Sequence, residues 1–298
     1  MARATAPILT ATMPTADFEE ARRLLCACNL AYGVAATGGD PEALAIVPPV
    51  LPSREVLEDM RAAVGFARGS FHAHQSPVRA GIDAFAYGES GELAILAFRG
   101  TLPVRLATDP ERIDQIVADW LNNARVHLVD GQTFGLPGFV HRGYADSLEA
   151  LWSSAGGLAE LLPTLRALAA NGRRLLITGH SKGGALAQLA ALRLAAIGDT
   201  GLMPAAVHTF AAPRAGNHVF AQTFDRTFAD RAWRFEFQND LVPHLPPTEG
   251  VWFALQSALA GTAAGREPGA LGGWTWAGFK SKLDAVGRIG TYESAGCL

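Results

Sequence analysis

Two observations predict an α/β fold with a mostly parallel central sheet flanked by helices. Short apolar runs alternate with helix-period segments from about residue 81 to 240, the pattern of a sheet whose strands are joined through helices. Within that span "RRLLITG" breaks into a tight turn and then into "GALAQLAALRLAAIG", a buried strand feeding a buried helix.

The elements follow in order. Residues 15–32 read as a helix capped by Thr15 or Asp17, with acidic residues in the first turn and an apolar stripe of Phe18, Ala21, Leu24, Leu25 and Cys28. Residues 34–53 are rich in Pro and Gly and read as loop, and 54–68 as helix. "GIDAFAYG" and "ELAILAFRG", separated by "ESG", predict adjacent strands. "ERIDQIVADWLNNARV" is an amphipathic helix carrying Ile116, Val117 and Trp120 on one face. Residues 143–170 supply one or two helices. "AAVHTFAAP" and "AWRFEFQND" are strands with the helix "NHVFAQTFDRTF" between them. No linker divides the chain. Residues 1–298 read as one domain, with 1–80 a helical and loop lead-in and 250–298 a Trp- and Gly-rich segment packed on the sheet.

Composition excludes several classes. A formal net charge of −3 with scattered basic residues offers no nucleic-acid footprint. Three cysteines, Cys26, Cys28 and Cys297, do not make a disulfide framework. No run of apolar residues reaches the length of a membrane span. The first residues lack the basic start and apolar core of a secretory signal, an expectation that leaves a secreted mature form and a cytoplasmic protein both open. No cofactor is implied. The close pair His72 and His74 has no acidic or Cys neighbour, so no metal site is expected, and "GSFHAHQSP" reads as a surface loop.

The chemistry centres on Gly179-His180-Ser181-Lys182-Gly183, a G-x-S-x-G run. It sits where a strand ends and a helix begins, which is where a serine is lifted onto a sharp turn. Glycines at both ends leave room for that turn, and the helix start aims N–H groups at the place where negative charge would develop. Such a serine needs a base to become nucleophilic and a carboxylate to orient the base. Asp240 follows the strand "AWRFEFQN", at the sheet edge where α/β folds place their sites.

Six pieces, "LAFRGT", "DWLNNARV", "VHRGYADSL", "TGHSKGGALA", "TFAAPRAGN" and "NDLVPHLPP", stand in one order over roughly residues 80 to 248. In that order they resemble the class 3 (fungal triglyceride lipase-like) branch of the α/β hydrolases. The resemblance implies an α/β-hydrolase fold and a lipid or other ester substrate. It implies Ser181 as nucleophile, Asp240 as the orienting acid, and Thr101 with the backbone N–H of Lys182 as the oxyanion donors. Lys182 stands at a position often held by leucine. The resemblance also implies a lid over 102–124 that meets a lipid interface; a fixed surface helix is the other reading of that stretch. The oligomeric state is left open.

The base is missing from its expected place. The triad of this fold runs Ser, Asp, His along the chain. Only His244 follows Asp240, and Ala285, in "SKLDAVGRIGTYESAGC", stands about where the resemblance expects the histidine. Three readings are open. The chain is a His-to-Ala variant of a lipase-like enzyme; or another histidine, His244 first in order, serves as base; or the chain is a non-catalytic relative that binds lipid or acyl groups. His141 and His180 resemble structural positions of the family.

Overall fold

The computed structural model describes residues 17–33, 54–67, 70–78, 82–101, 127–236, 240, 242–246, 292–293 and 295. Its main sheet has six strands in the order β1-β2-β3-β6-β7-β9. These are β1 (His72–Gln75), β2 (Ala84–Ser90), β3 (Leu93–Phe98), β6 (Arg174–His180), β7 (Ala206–Phe210) and β9 (Ala232–Phe235). The first three pair antiparallel, and β3, β6, β7 and β9 pair parallel. A second, four-stranded sheet runs β10-β8-β5-β4. It joins β4 (Leu128–Asp130), β5 (Phe139–His141), β8 (Gly216–Asn217) and β10 (Tyr292–Glu293).

Alternation along the strands builds two apolar layers. On β3, Ala94, Leu96 and Phe98 face one core with Ile177 and Val207, while Ile95 and Ala97 face the other with Leu176 and Ala206. The first layer is covered by helices α3 (Arg142–Ser153), α4 (Leu158–Ala170), α5 (Lys182–Ala196) and α6 (His218–Phe228). The second is covered by α1 (Phe18–Tyr32), with α2 (Arg54–Val64) packed beside it. Helix α5 is buried along nearly its whole length. Its alanines let it lie close between the sheet and its helical neighbours.

Several expectations are corrected. Asp17 does cap α1, accepting from the N–H groups of Glu19 and Glu20 at 2.9 and 3.2 Å. The buried stripe, however, is Ala21, Leu24, Ala27, Cys28 and Ala31, whereas Phe18 is 76% and Leu25 38% exposed. Leu25 lies one residue, about 100°, off that stripe. The hairpin turn falls on Gly91 and Glu92, because Glu89 and Ser90 still pair in β2. Gly91 takes φ 59°, which a two-residue turn demands and glycine accepts. His72 and His74 lie in an edge strand, β1, not in a loop: His72 stacks on Tyr87 and the His74 Nε2 bonds to Ser154 Oγ at 2.8 Å. Residues 143–170 form two helices, separated by a turn at Ser154–Gly157. The stretch 102–126, Ala285 and the Trp residues of the tail lie outside the described residues.

Candidate active site

Ser181 stands directly after β6 and directly before α5. Its backbone takes φ 55° and ψ −130°. That left-handed conformation is strained for a residue with a Cβ, and it is held from both sides. The Ser181 N–H donates to the Phe210 carbonyl at 2.9 Å, and its own carbonyl accepts from Gly184 at 2.8 Å. The side chain makes no capping bond to α5, so Oγ is not spent on the helix. The macrodipole of a 15-residue helix points its positive end at this serine.

The flanking glycines are required by contact. A Cβ on Gly179 would lie 2.0 Å from the Gly183 carbonyl oxygen, and one on Gly183 would lie 2.2 Å from the carbonyl oxygen of Phe98. The first turn of α5 thus rests on the end of β3. On the far side of that end, a Cβ on Gly100 would meet the His180 carbonyl oxygen at 2.5 Å and the Tyr32 hydroxyl at 2.0 Å. This close approach brings Gly100, the residue before the half-buried Thr101, against the His180 backbone that leads into the serine turn.

Asp240 comes after β9, two strands from β6, and is half-buried. Its carboxylate accepts from the Val242 N–H at 2.9 Å. It is felt by His180, whose pKa burial pushes down while the Asp240 charge partly opposes. The Nδ1 of His180 is 2.9 Å from the Tyr32 hydroxyl. Thr101, Ser181 and Asp240 therefore stand at the C-terminal ends of β3, β6 and β9, at one edge of the parallel strands.

Two further histidines are held in different ways. His244 closes a short 3₁₀ turn over Val242–His244, and its carbonyl accepts from Arg214. Its ring is exposed. His141 is fully buried, stacks on Tyr144 at 3.8 Å and accepts from the Tyr144 N–H.

Residues that sequence reasoning missed hold this edge in place. Arg234, 3% exposed on β9, donates to the Glu236 carboxylate and, at 2.8 Å, to the Pro243 carbonyl. Arg214 donates to the carbonyls of His244 and Pro246. Together they fasten the turn that carries Asp240. An arginine at an interior phase of an apolar strand was the available signal for the first. Lys182, a charged residue opening an apolar helix, was another; its ammonium is buried against Asp83.

The family model for lipase (class 3) matches residues 112–250. A lipase of Caenorhabditis elegans, ZK262.3, is 41% identical over 70 residues, 24% of this chain and 20% of that protein. The rice (Oryza sativa subsp. indica) phospholipase A1-II 3 is 28% identical over 188 residues, 53% of this chain and 45% of that protein. The matched stretches span less than half the length of these curated relatives. Among solved structures, the lipase of Rhizopus microsporus var. chinensis superposes with a TM-score of 0.54 at 20% identity, over 81% of this chain and 74% of that one. At that identity the likeness speaks to the fold, which is that of the fungal lipases. The lipase (class 3) model thus covers the serine turn and Asp240, over just under half of the chain, and the architecture around them is the fold shared with the fungal lipases.

Proposed function

We propose that this chain is built for hydrolysis of lipid or related carboxylic esters through Ser181. The observation that carries the reading is the backbone of Ser181: a strained left-handed residue with its Oγ free of the helix it precedes. The names of its relatives, a lipase and a phospholipase, agree in substrate class. In this reading Ser181 Oγ attacks the ester carbonyl. The oxyanion is met by the Lys182 N–H and by Thr101. The alcohol leaves with a proton, and water then releases the acyl group from Ser181. Asp240 is the acid that would orient a base. The stretch 102–124 is the segment that would meet a lipid interface, and a jump in rate at the solubility limit of the substrate is its signature.

The base is the one part the sequence withholds, and Ala285 stands near its expected position. The turn around His244 supports this reading over His244 as base: its ring is exposed, and the Asp240 carboxylate is engaged with the Val242 N–H. Loss of the triad histidine in a serine protease lowers turnover on the order of 10⁶-fold. Short- and long-chain p-nitrophenyl esters, assayed with this chain and with Ala285→His, test the proposal. The expected result is slow, Ser181-dependent hydrolysis that Ala285→His raises by orders of magnitude. Absence of fluorophosphonate labelling at Ser181 in both proteins would leave a lipid- or acyl-binding relative as the better reading.

A further inference from the structure

A charge pair beside the serine turn has no part in the chemistry above. Lys182 opens α5, yet its side chain is 1% exposed, and that of Asp83 is 0% exposed. The ammonium donates to Asp83 Oδ1 at 3.2 Å and to the Ile82 carbonyl at 3.3 Å. The second carboxylate oxygen, Oδ2, is buried without a hydrogen bond. Burying two charges is costly, and apolar residues of similar volume often serve stability as well or better. A gain in stability therefore does not account for the pair.

Its location does. Strand β2 pairs antiparallel with β3, Phe85 opposite Phe98, and the Arg99 N–H donates to the Ala84 carbonyl at 3.0 Å. One step further along that register, Asp83 lies across from Gly100, the residue before Thr101. The Asp83 carbonyl is fixed in turn by the Ser76 N–H at 3.0 Å. The pair thus joins the first residue of α5 to the strand bordering Thr101, over a separation of 99 residues in the chain. A leucine at 182 would fill space there without a directed bond.

We propose that Lys182 and Asp83 are positioning residues whose buried pair fixes the distance between the Lys182 N–H and Thr101, the two donors to the oxyanion. The proposal rests on Ser181 acting as the nucleophile. Small displacements of such donors are felt in the rate, because they are useful only when aimed in advance at the developing charge.

The test compares the full chain with Lys182→Met/Asp83→Val, which removes both charges together, and with Asp83→Glu, which keeps the charges and shifts them by one methylene. Three quantities are read: Tm, the second-order rate of fluorophosphonate labelling at Ser181, and hydrogen exchange in peptides spanning 96–101 and 179–186. The double variant is expected to keep its Tm while labelling slows about 10- to 100-fold and exchange in both peptides rises about tenfold. Asp83→Glu is expected to fall between the two, and it carries the test should the double variant not fold. Unchanged labelling together with unchanged exchange in a folded variant overturns the proposal. If the parent chain is not labelled at all, the hydrolase reading fails on its own. Exchange then decides the pair: faster exchange in both peptides upholds it as the tie between the two segments, and unchanged exchange overturns it.

Discussion

The α-carbon of Gly183 lies so close to Phe98 that an added Cβ would sit 2.2 Å from the Phe98 carbonyl oxygen. The obstacle is backbone at the end of a central strand, which has no rotamer to yield. Gly183→Ala is therefore expected to lower stability by about 3 kcal/mol, the upper range for overpacking. Urea unfolding followed by tryptophan fluorescence reads this directly, and an unchanged midpoint would contradict the close approach.

Strain at Ser181 has a measurable sign. At φ 55° and ψ −130° a Cβ costs on the order of 1–3 kcal/mol, while glycine is at ease. Ser181→Gly is expected to be more stable than Ser181→Ala by about 1 kcal/mol once the greater unfolded freedom of glycine is counted. Both lose fluorophosphonate labelling. Paired thermal melts give the comparison; equal stabilities would mean that the elbow is relaxed.

His208 predicts a pH dependence. It is buried on β7 between Trp233 and Phe235, and burial lowers its pKa from 6.5 to about 4. Between those values the unfolded chain takes up a proton that the folded chain refuses. Stability from this residue is thus full above about pH 6.5 and is lost as the pH falls toward about 4, on the order of 3 kcal/mol in all. Glu20 lies 3.6 Å away, and burial lifts its carboxyl above the ordinary range. Its slope has the opposite sign, so the net loss is smaller. His208→Phe is expected to flatten or invert the pH slope of the unfolding free energy between pH 4 and 6.5.

Arg234 steadies the Asp240 turn through the residues on either side. Its guanidinium spans Glu236 and the Pro243 carbonyl, on either side of Asp240. Lysine cannot reproduce that fork. Arg234→Lys is expected to cost about 1–3 kcal/mol from the acceptors left buried, and to slow Ser181 labelling about tenfold through displacement of the Asp240 turn. Loss of stability with an unchanged labelling rate would confine Arg234 to the scaffold.

Legibility from sequence tracked the range of each interaction. The serine turn could be read because its causes are local: two glycines, a strand before and a helix after. Asp17 as a cap and the alternation along β3 are local in the same sense. The second sheet escaped notice because β8 and β10 have two residues each, too short for any periodicity. The loop reading of β1 failed for a related reason, since "HAHQ" is an edge strand defined by its partner Tyr87 rather than by its own composition. Lys182 was read for its N–H alone, because the reason for its ammonium, Asp83, lies 99 residues earlier. Arg214 and Arg234 were missed as supports because their acceptors are main-chain carbonyls or a nearby carboxylate, which leave no motif.

Near the end of the chain, the Gln188 amide on α5 donates to the Ala295 carbonyl at 3.1 Å, and Tyr292 pairs with Asn217 across the second sheet. Well before them in the sequence, the Pro246 carbonyl is held by Arg214 at 2.9 Å. Pro246 and Tyr292 are thus each tied to the described scaffold, with position 285 between them in the sequence. Joining two such anchored points through a longer flexible connection costs only about 0.6 kcal/mol more for each doubling of its length. A substitution at position 285 is therefore expected to leave both knots, and the scaffold they fasten, in place.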